Sequence, residues 1–121
     1  EAYYLKASKV RRMIKQDYDE AFQKVDLILG PTTPTPAFKL GQHTQDPLAM
    51  YLADIFTVSA NLAGIPAISV PVEPSSMGLP IGLQLQGRAF AENILLRAAH
   101  QFQNETPWHT TSPSEPWRTQ S

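Results

Sequence analysis

Residues 46–87, DPLAMYLADIFTVSANLAGIPAISVPVEPSSMGLPIGLQLQG, change from a helical to a strand period partway along, and that change decides the fold. Asp46-Pro47 opens a helix, because the aspartate side chain can cap free backbone amides and a proline at the first helical position gives up no needed donor. Leu48, Leu52, Ile55 or Phe56, Ser59 and Leu62 then form one apolar stripe, which predicts a single helix to about Ala63. Gly64 with Ile65-Pro66 ends it. Ala67 to Val72 reads as a strand with Pro71 near its end, where a missing ladder donor is tolerable. Beyond the turn-rich EPSSMGLP, Ile81, Leu83 and Leu85 alternate with Gly82, Gln84 and Gln86, so the chain returns as a strand with one buried face. Gln84 and Gln86 lie off that face, as surface or interlayer groups.

Upstream, Tyr3, Ala7, Val10, Ile14, Tyr18, Ala21 and Val25 recur at three- and four-residue steps, which predicts an amphipathic helix over 3–25. Val25-Asp26-Leu27-Ile28-Leu29 is too short for a helix and runs into Gly30-Pro31, so it reads as a strand entering a loop. The PTTPTPAF that follows has three prolines in six positions, which fix backbone angles and favour an ordered extended segment. Downstream, Ile94, Leu95, Ala98 and Phe102 mark a helix over about 91–103. Past Asn104 the composition turns to Thr, Ser, Pro and Glu around isolated Trp108 and Trp117, which reads as a flexible polar tail over 105–121. The order helix, strand, helix, strand, strand, helix is an α/β pattern with three strands and three main helices, part of a mixed sheet. Such domains usually have about five or six strands. Because the helical pattern is already running at Tyr3 and Glu1 is not an initiator methionine, the chain is expected to be a fragment whose partner elements lie upstream.

With 121 residues and 42% hydrophobic content, one domain with a core is possible. A net charge of -1 offers no long-range attraction to phosphate backbones or anionic membranes, which argues against a stand-alone nucleic-acid or membrane binder. The absence of cysteine excludes disulfides, thiolate zinc sites and cysteine nucleophiles, and no signal-like apolar run is present, so a cytoplasmic protein is expected. His43, His100 and His109 have no ligand-like spacing, and no metal site is expected.

Asp54 stands out as the one carboxylate within the apolar 46–63 helix. Its neighbours three and four residues away are Met50, Tyr51, Thr57 and Val58, so no cation on the same helix can pair with it. If buried, it needs an ion pair, neutralisation or a bound cationic ligand.

Five stretches carry a resemblance to known enzymes. They are Tyr3-Tyr4-Leu5-Lys6-Ala7, the run from Val25 to Phe38 containing Gly30-Pro31-Thr32-Thr33-Pro34, the run from Asp46 to Thr57, and Asn61-Leu62-Ala63-Gly64-Ile65-Pro66-Ala67-Ile68-Ser69-Val70-Pro71. The last is Gly78-Leu79-Pro80-Ile81-Gly82-Leu83-Gln84-Leu85-Gln86-Gly87. Together they span residues 2 to about 103 and resemble the C-terminal end of the amidase signature enzymes, and within them of the A subunits of aspartyl/glutamyl-tRNA amidotransferases, which implies that residues 1–104 are the C-terminal portion of a mixed-sheet amidase signature fold.

The resemblance implies a glutaminase that frees ammonia from glutamine, while a partner subunit uses ATP and Mg to activate and aminate misacylated glutamate or aspartate on tRNA. It implies B and C subunits as partners and tRNA contact mainly through them, with no cofactor on this segment. The family's Ser-Ser-Lys catalytic residues belong to segments not found in this sequence, so no catalytic residue is assigned here and the fragment alone is expected to be inactive. Ser75-Ser76 resembles a serine pair, but Ser and Gly are ordinary turn residues between strands. Asp54 matches the family position that holds the glutamine α-ammonium, and opposite charges about 4 Å apart attract by roughly 4 kcal/mol at an effective dielectric of about 20. The alternative is a salt bridge from Asp54 to a cation such as Arg11 or Arg12. Thr32 and Thr33, at a strand end, either line the amide pocket or bond nearby backbone as turn hydroxyls. Two competing expectations are a fragment of a general small-amide amidase, for which Asp54 matters less, and a non-catalytic assembly module.

Overall fold

A computed structural model describes residues 2–41 and 46–112. The elements run α1 (Ala2–Ala21), β1 (Leu27–Pro31), α2 (Pro47–Ala53), α3 (Ile55–Ala63), β2 (Ala67–Val72), β3 (Ile81–Gly87) and α4 (Glu92–Glu105), followed by a 3-10 turn over Trp108–Thr110. The strands form an antiparallel sheet in the order β1-β3-β2, with β3 in the centre.

Register follows from the alternation in β3. Leu83 and Leu85 stand opposite Pro31 and Leu29 on one side and Val70 and Ile68 on the other. This apolar face packs under α4, where Val70, Leu85, Leu95 and Ala99 form one buried cluster. On the opposite face, Phe22, Ala60, Ala63 and Ile65 cluster with Ile14, Tyr18 and Ile28, so α1 and α3 cover that side. The sheet is therefore a filled layer between helices. Gln84 and Gln86 lie on the α3 side at 5% and 6% exposure, which decides between the two expectations for them: they are interlayer groups, not surface ones.

The helix expected over 46–63 is two helices. Asp46 caps α2 as read, accepting from the amides of Leu48 and Ala49 at 3.1 and 3.0 Å. The helix then stops at Asp54, whose φ of -98° and ψ of 5° lie outside the α region. Aspartate is a poor interior helix residue, and here the Asp54 amide bonds Tyr51 O at 3.3 Å, a tightened last turn, before α3 starts. The count of three main helices accordingly becomes four. Gly64 ends α3 at φ 68°, the left-handed conformation that glycine adopts without a Cβ penalty, and Arg11 Nε donates to Leu62 O at 2.8 Å in the same terminal turn.

Three boundaries also move. α1 ends at Ala21, with a turn carrying the chain through Val25, and β1 begins two residues later than expected and continues through Gly30 to Pro31. An edge-strand proline can sit there because the ladder does not need its missing donor. At the other end, α4 extends to Glu105, and the turn at Trp108 packs against β2, with half-buried Trp108 beside Pro71, Pro74 and Pro80. The tail expected from 105 is thus placed against the sheet as far as its described residues go. Trp117 and His43 lie outside the described residues. No described helix is long and apolar enough to cross a membrane.

Candidate functional site

Two strand ends and one helix converge at the mouth of the sheet. Thr32, just past β1, donates its amide to Gly82 O of β3 at 3.0 Å, and its hydroxyl meets the Ser69 hydroxyl of β2 at 2.6 Å. The hydroxyl pair thus arches over the central strand at Gly82. A Cβ at position 82 would sit 2.7 Å from both Thr32 Oγ1 and Ser69 Oγ, so glycine is what lets the two edge strands meet above it. Substituting Gly82→Ala is expected to break this pair and cost about 1.5 kcal/mol of stability, the usual scale for forcing one methyl into filled space. Urea unfolding of the full polypeptide checks this, and an unchanged midpoint would show that the pair yields freely.

The hydroxyl pair borders a cavity of about 270 Å³ whose far wall is α3, with Thr57, Asn61 and Gln84 among its lining. Its polar groups are partly committed. Thr57 Oγ1 donates to Asp54 O at 3.0 Å, Asn61 Nδ2 to Thr57 O at 2.9 Å, and Gln84 Nε2 to Phe56 O at 2.9 Å. Those donations leave the Asn61 and Gln84 carbonyl oxygens, the second N–H of each of those amides and one hydroxyl proton of the Thr32–Ser69 pair as groups able to meet a ligand. The cavity is lined by uncharged residues and offers both donors and acceptors, which suits an amide group. A second cavity of about 320 Å³ lies on the other side of Gln84, between Tyr18, Phe56 and Ser59.

Asp54 lies outside the lining of both cavities, one turn before Thr57 on the α3 rod. It is exposed in this structure, so burial no longer supplies a reason for its partner. Neither Arg11 nor Arg12 holds it: the ion pairs among described residues are Lys15–Asp19 and Arg88–Asp26, and Arg11 Nε donates to Leu62 O. Its carboxylate also caps nothing, although Asp54 is the residue preceding α3, whereas Asp46 in the equivalent place before α2 caps two amides. The backbone of Asp54 is held, by Thr57 and Val58 amides on its carbonyl, and its charge is uncommitted.

The two threonines separate. Thr32 lines the cavity, while Thr33 Oγ1 turns back to Thr35 O at 2.9 Å as a turn hydroxyl. Ser75 Oγ accepts the Leu79 amide at 3.1 Å, closing the β2–β3 hairpin turn. Among the described residues no cluster of His, Cys, Asp or Glu could hold a metal ion. Ser69, Thr57 and Asn61 were not singled out from sequence. The available signal was Gly82, a glycine inside an alternating strand, which marks a close approach by another group.

Comparison with known proteins follows the same outline. The family described as Amidase matches residues 1–96. The chain is 62% identical to the A subunit of glutamyl-tRNA(Gln) amidotransferase from Geobacter metallireducens, over 91% of its own length and 23% of that protein. For the A subunit from Desulfatibacillum aliphaticivorans the identity is 60%, over 94% and 24%. The crystal structure of the Thermotoga maritima A subunit is 54% identical with a TM-score of 0.70, covering 74% of this chain and 20% of that one. A 6-aminohexanoate cyclic dimer hydrolase superposes with a TM-score of 0.71 at 31% identity, covering 93% and 24%. The chain spans about a quarter of the length of the curated relatives it matches. With four-fifths of its residues under the family match and its sheet and helices superposing on solved members, the chain belongs to the amidase signature family.

Proposed function

We propose that these residues form the C-terminal part of the glutaminase subunit of a tRNA-dependent amidotransferase. In this reading the enzyme is a carbon–nitrogen ligase that frees ammonia from glutamine. The ammonia serves ATP- and Mg-dependent conversion of Glu-tRNA(Gln) to Gln-tRNA(Gln), of Asp-tRNA(Asn) to Asn-tRNA(Asn), or both, in partnership with B and C subunits in the cytoplasm. Identity above one half to proteins named as A subunits of glutamyl-tRNA(Gln) amidotransferase supports this over a general amidase, for which the hydrolase match stands at 31%.

The observation that carries the glutamine part is Asp54, a fixed backbone position with an uncommitted carboxylate at a helix break, in the place that the resemblance gives to the substrate α-ammonium. Thr32, with its Ser69 partner, would line the amide side, and Thr33 would act on it only through the loop. The serine nucleophile, its serine partner and the lysine would come from other polypeptide, so this segment contributes substrate recognition and no bond-breaking group.

The test uses the full polypeptide carrying residues 1–121 with its B and C subunits. Ammonia release from glutamine, and formation of Gln-tRNA from Glu-tRNA with ATP and Mg present, are the expected results. Equal hydrolysis of simple amides with no transfer to tRNA would return the chain to the general amidases.

A further inference from the structure

We infer that Gln84 is a positioning residue for Asp54, acting through the first turn of α3. This rests on the proposed role of Asp54 in holding an α-ammonium. A buried glutamine in the middle strand of a sheet is costly unless its amide is satisfied, and Gln84 is 5% exposed. Its Nε2 reaches across the layer to Phe56 O at 2.9 Å, two residues past Asp54. That carbonyl belongs to α3 and has a second lone pair beyond the one its own helix can use, so the side chain ties the helix to the sheet without breaking a helical bond.

The tie matters because of where α3 begins. A continuous helix from 47 to 63 would carry Asp54 rigidly from both sides, but the break at Asp54 leaves its amide only a long bond to Tyr51 O, at 3.3 Å, on the α2 side. What fixes the residue is then mainly what fixes α3. Thr57 and Val58 anchor the Asp54 carbonyl to α3, and among the described residues Gln84 supplies a side-chain hydrogen bond from β3 to that first turn. Gln84 also separates the two cavities on either side of it, so the same amide that aims α3 is positioned between them. The central strand therefore sets the carboxylate's position by a two-step path: β3 to the Phe56 carbonyl, and α3 to Asp54.

The experiment is a double-substitution cycle in the full polypeptide with its partner subunits, using Gln84→Met, Asp54→Asn and both together. Gln84→Met keeps length and burial while deleting the donor. KM for glutamine is expected to rise about ten-fold more than KM for glutaramate, the same amide without an α-amine, since any loss through the cavity that Gln84 lines falls on both substrates while a loss through Asp54 falls on glutamine alone. In the double variant the KM for glutamine should be no worse than in Asp54→Asn alone, since a group acting through Asp54 has nothing left to position. Additive losses would overturn the inference while leaving Asp54 in its role. Asp54→Asn affecting glutamine and glutaramate alike would instead sink the underlying reading of Asp54. Gln84→Glu is the second variant, isosteric but without the donor; loss of folding in both Gln84 variants would assign the residue to stability alone and overturn the inference.

Discussion

Isolated in solution, the 121-residue chain is expected to unfold without a cooperative transition. A compact monomer of 13.4 kDa exposes about 6,500 Å² by the usual scaling of surface with mass, whereas this chain presents 9652 Å². The difference is about half as much surface again. Its core is correspondingly thin: nine apolar residues are buried among the described ones, and four of them are alanines. Tyr3 and Tyr4 on α1 are 90% and 75% exposed, Met13 on the same helix 64%, and Leu48 and Tyr51 on α2 66% and 68%. Patches of this kind belong against other polypeptide, and the stability they would contribute is missing while they face water. Calorimetry and urea denaturation should show a broad, shallow change for the isolated chain and a sharp one for the same residues within the full polypeptide. A single steep transition for the isolated chain, with the urea dependence expected for its size, would contradict the expectation and favour a self-sufficient assembly module.

Much of the architecture was legible because its signals are local. Asp46-Pro47 caps one helix, Gly64 stops another, and the period-two run from Ile81 fixes which face of β3 meets α4. What escaped the sequence is what depends on a second layer. The apolar stripe runs unbroken through Leu52, Ile55 and Ser59, so nothing in its spacing marks the stop at Asp54; the break shows in the backbone angles and in the tightened bond from the Asp54 amide to Tyr51 O. Gln84 and Gln86 alternate with leucines as solvent-facing residues do, and become interlayer groups because α3 lies over them and offers the Phe56 carbonyl. Trp108 sits in a stretch whose composition reads as a tail, yet it meets a row of prolines contributed by β2 and the hairpin. At the site, Thr32 was within reach because it follows a strand end. Ser69 was hidden, since a serine on an edge strand acquires meaning only once Gly82 opens the gap through which Thr32 meets it.

If Asp54 holds the α-ammonium as proposed, the break in the helix there has a functional consequence. A carboxylate in mid-helix would point wherever the helix face points; at a junction it can be aimed independently of either apolar stripe. Thr57 secures this junction from below with two bonds to the same carbonyl, one from its amide and one from its hydroxyl. The result is a charged group on a constrained backbone whose side chain has no internal duty among the described residues, which excludes a structural ion pair there and leaves the carboxylate free for the proposed role.

Replacing Asp54 by asparagine should accordingly separate recognition from stability. The substitution keeps shape and removes charge, and since the carboxylate neither caps α3 nor pairs with a described cation, the melting temperature of the full polypeptide should move by about 1 °C or less. Activity should behave differently. An ammonium held by a carboxylate loses a charge-assisted hydrogen bond, and kcat/KM for glutamine is expected to fall about a hundred-fold. Glutaramate has the same reacting amide and no α-amine, so its kcat/KM should change by less than about three-fold, because the lost interaction was never available to it. Steady-state ammonia release with the two substrates reads the difference directly, and raising the salt concentration should weaken glutamine binding in the unsubstituted enzyme more than in the variant. Equal losses for both substrates would mean that Asp54 serves the reacting amide or the fold, and a lowered melting temperature would decide between those two.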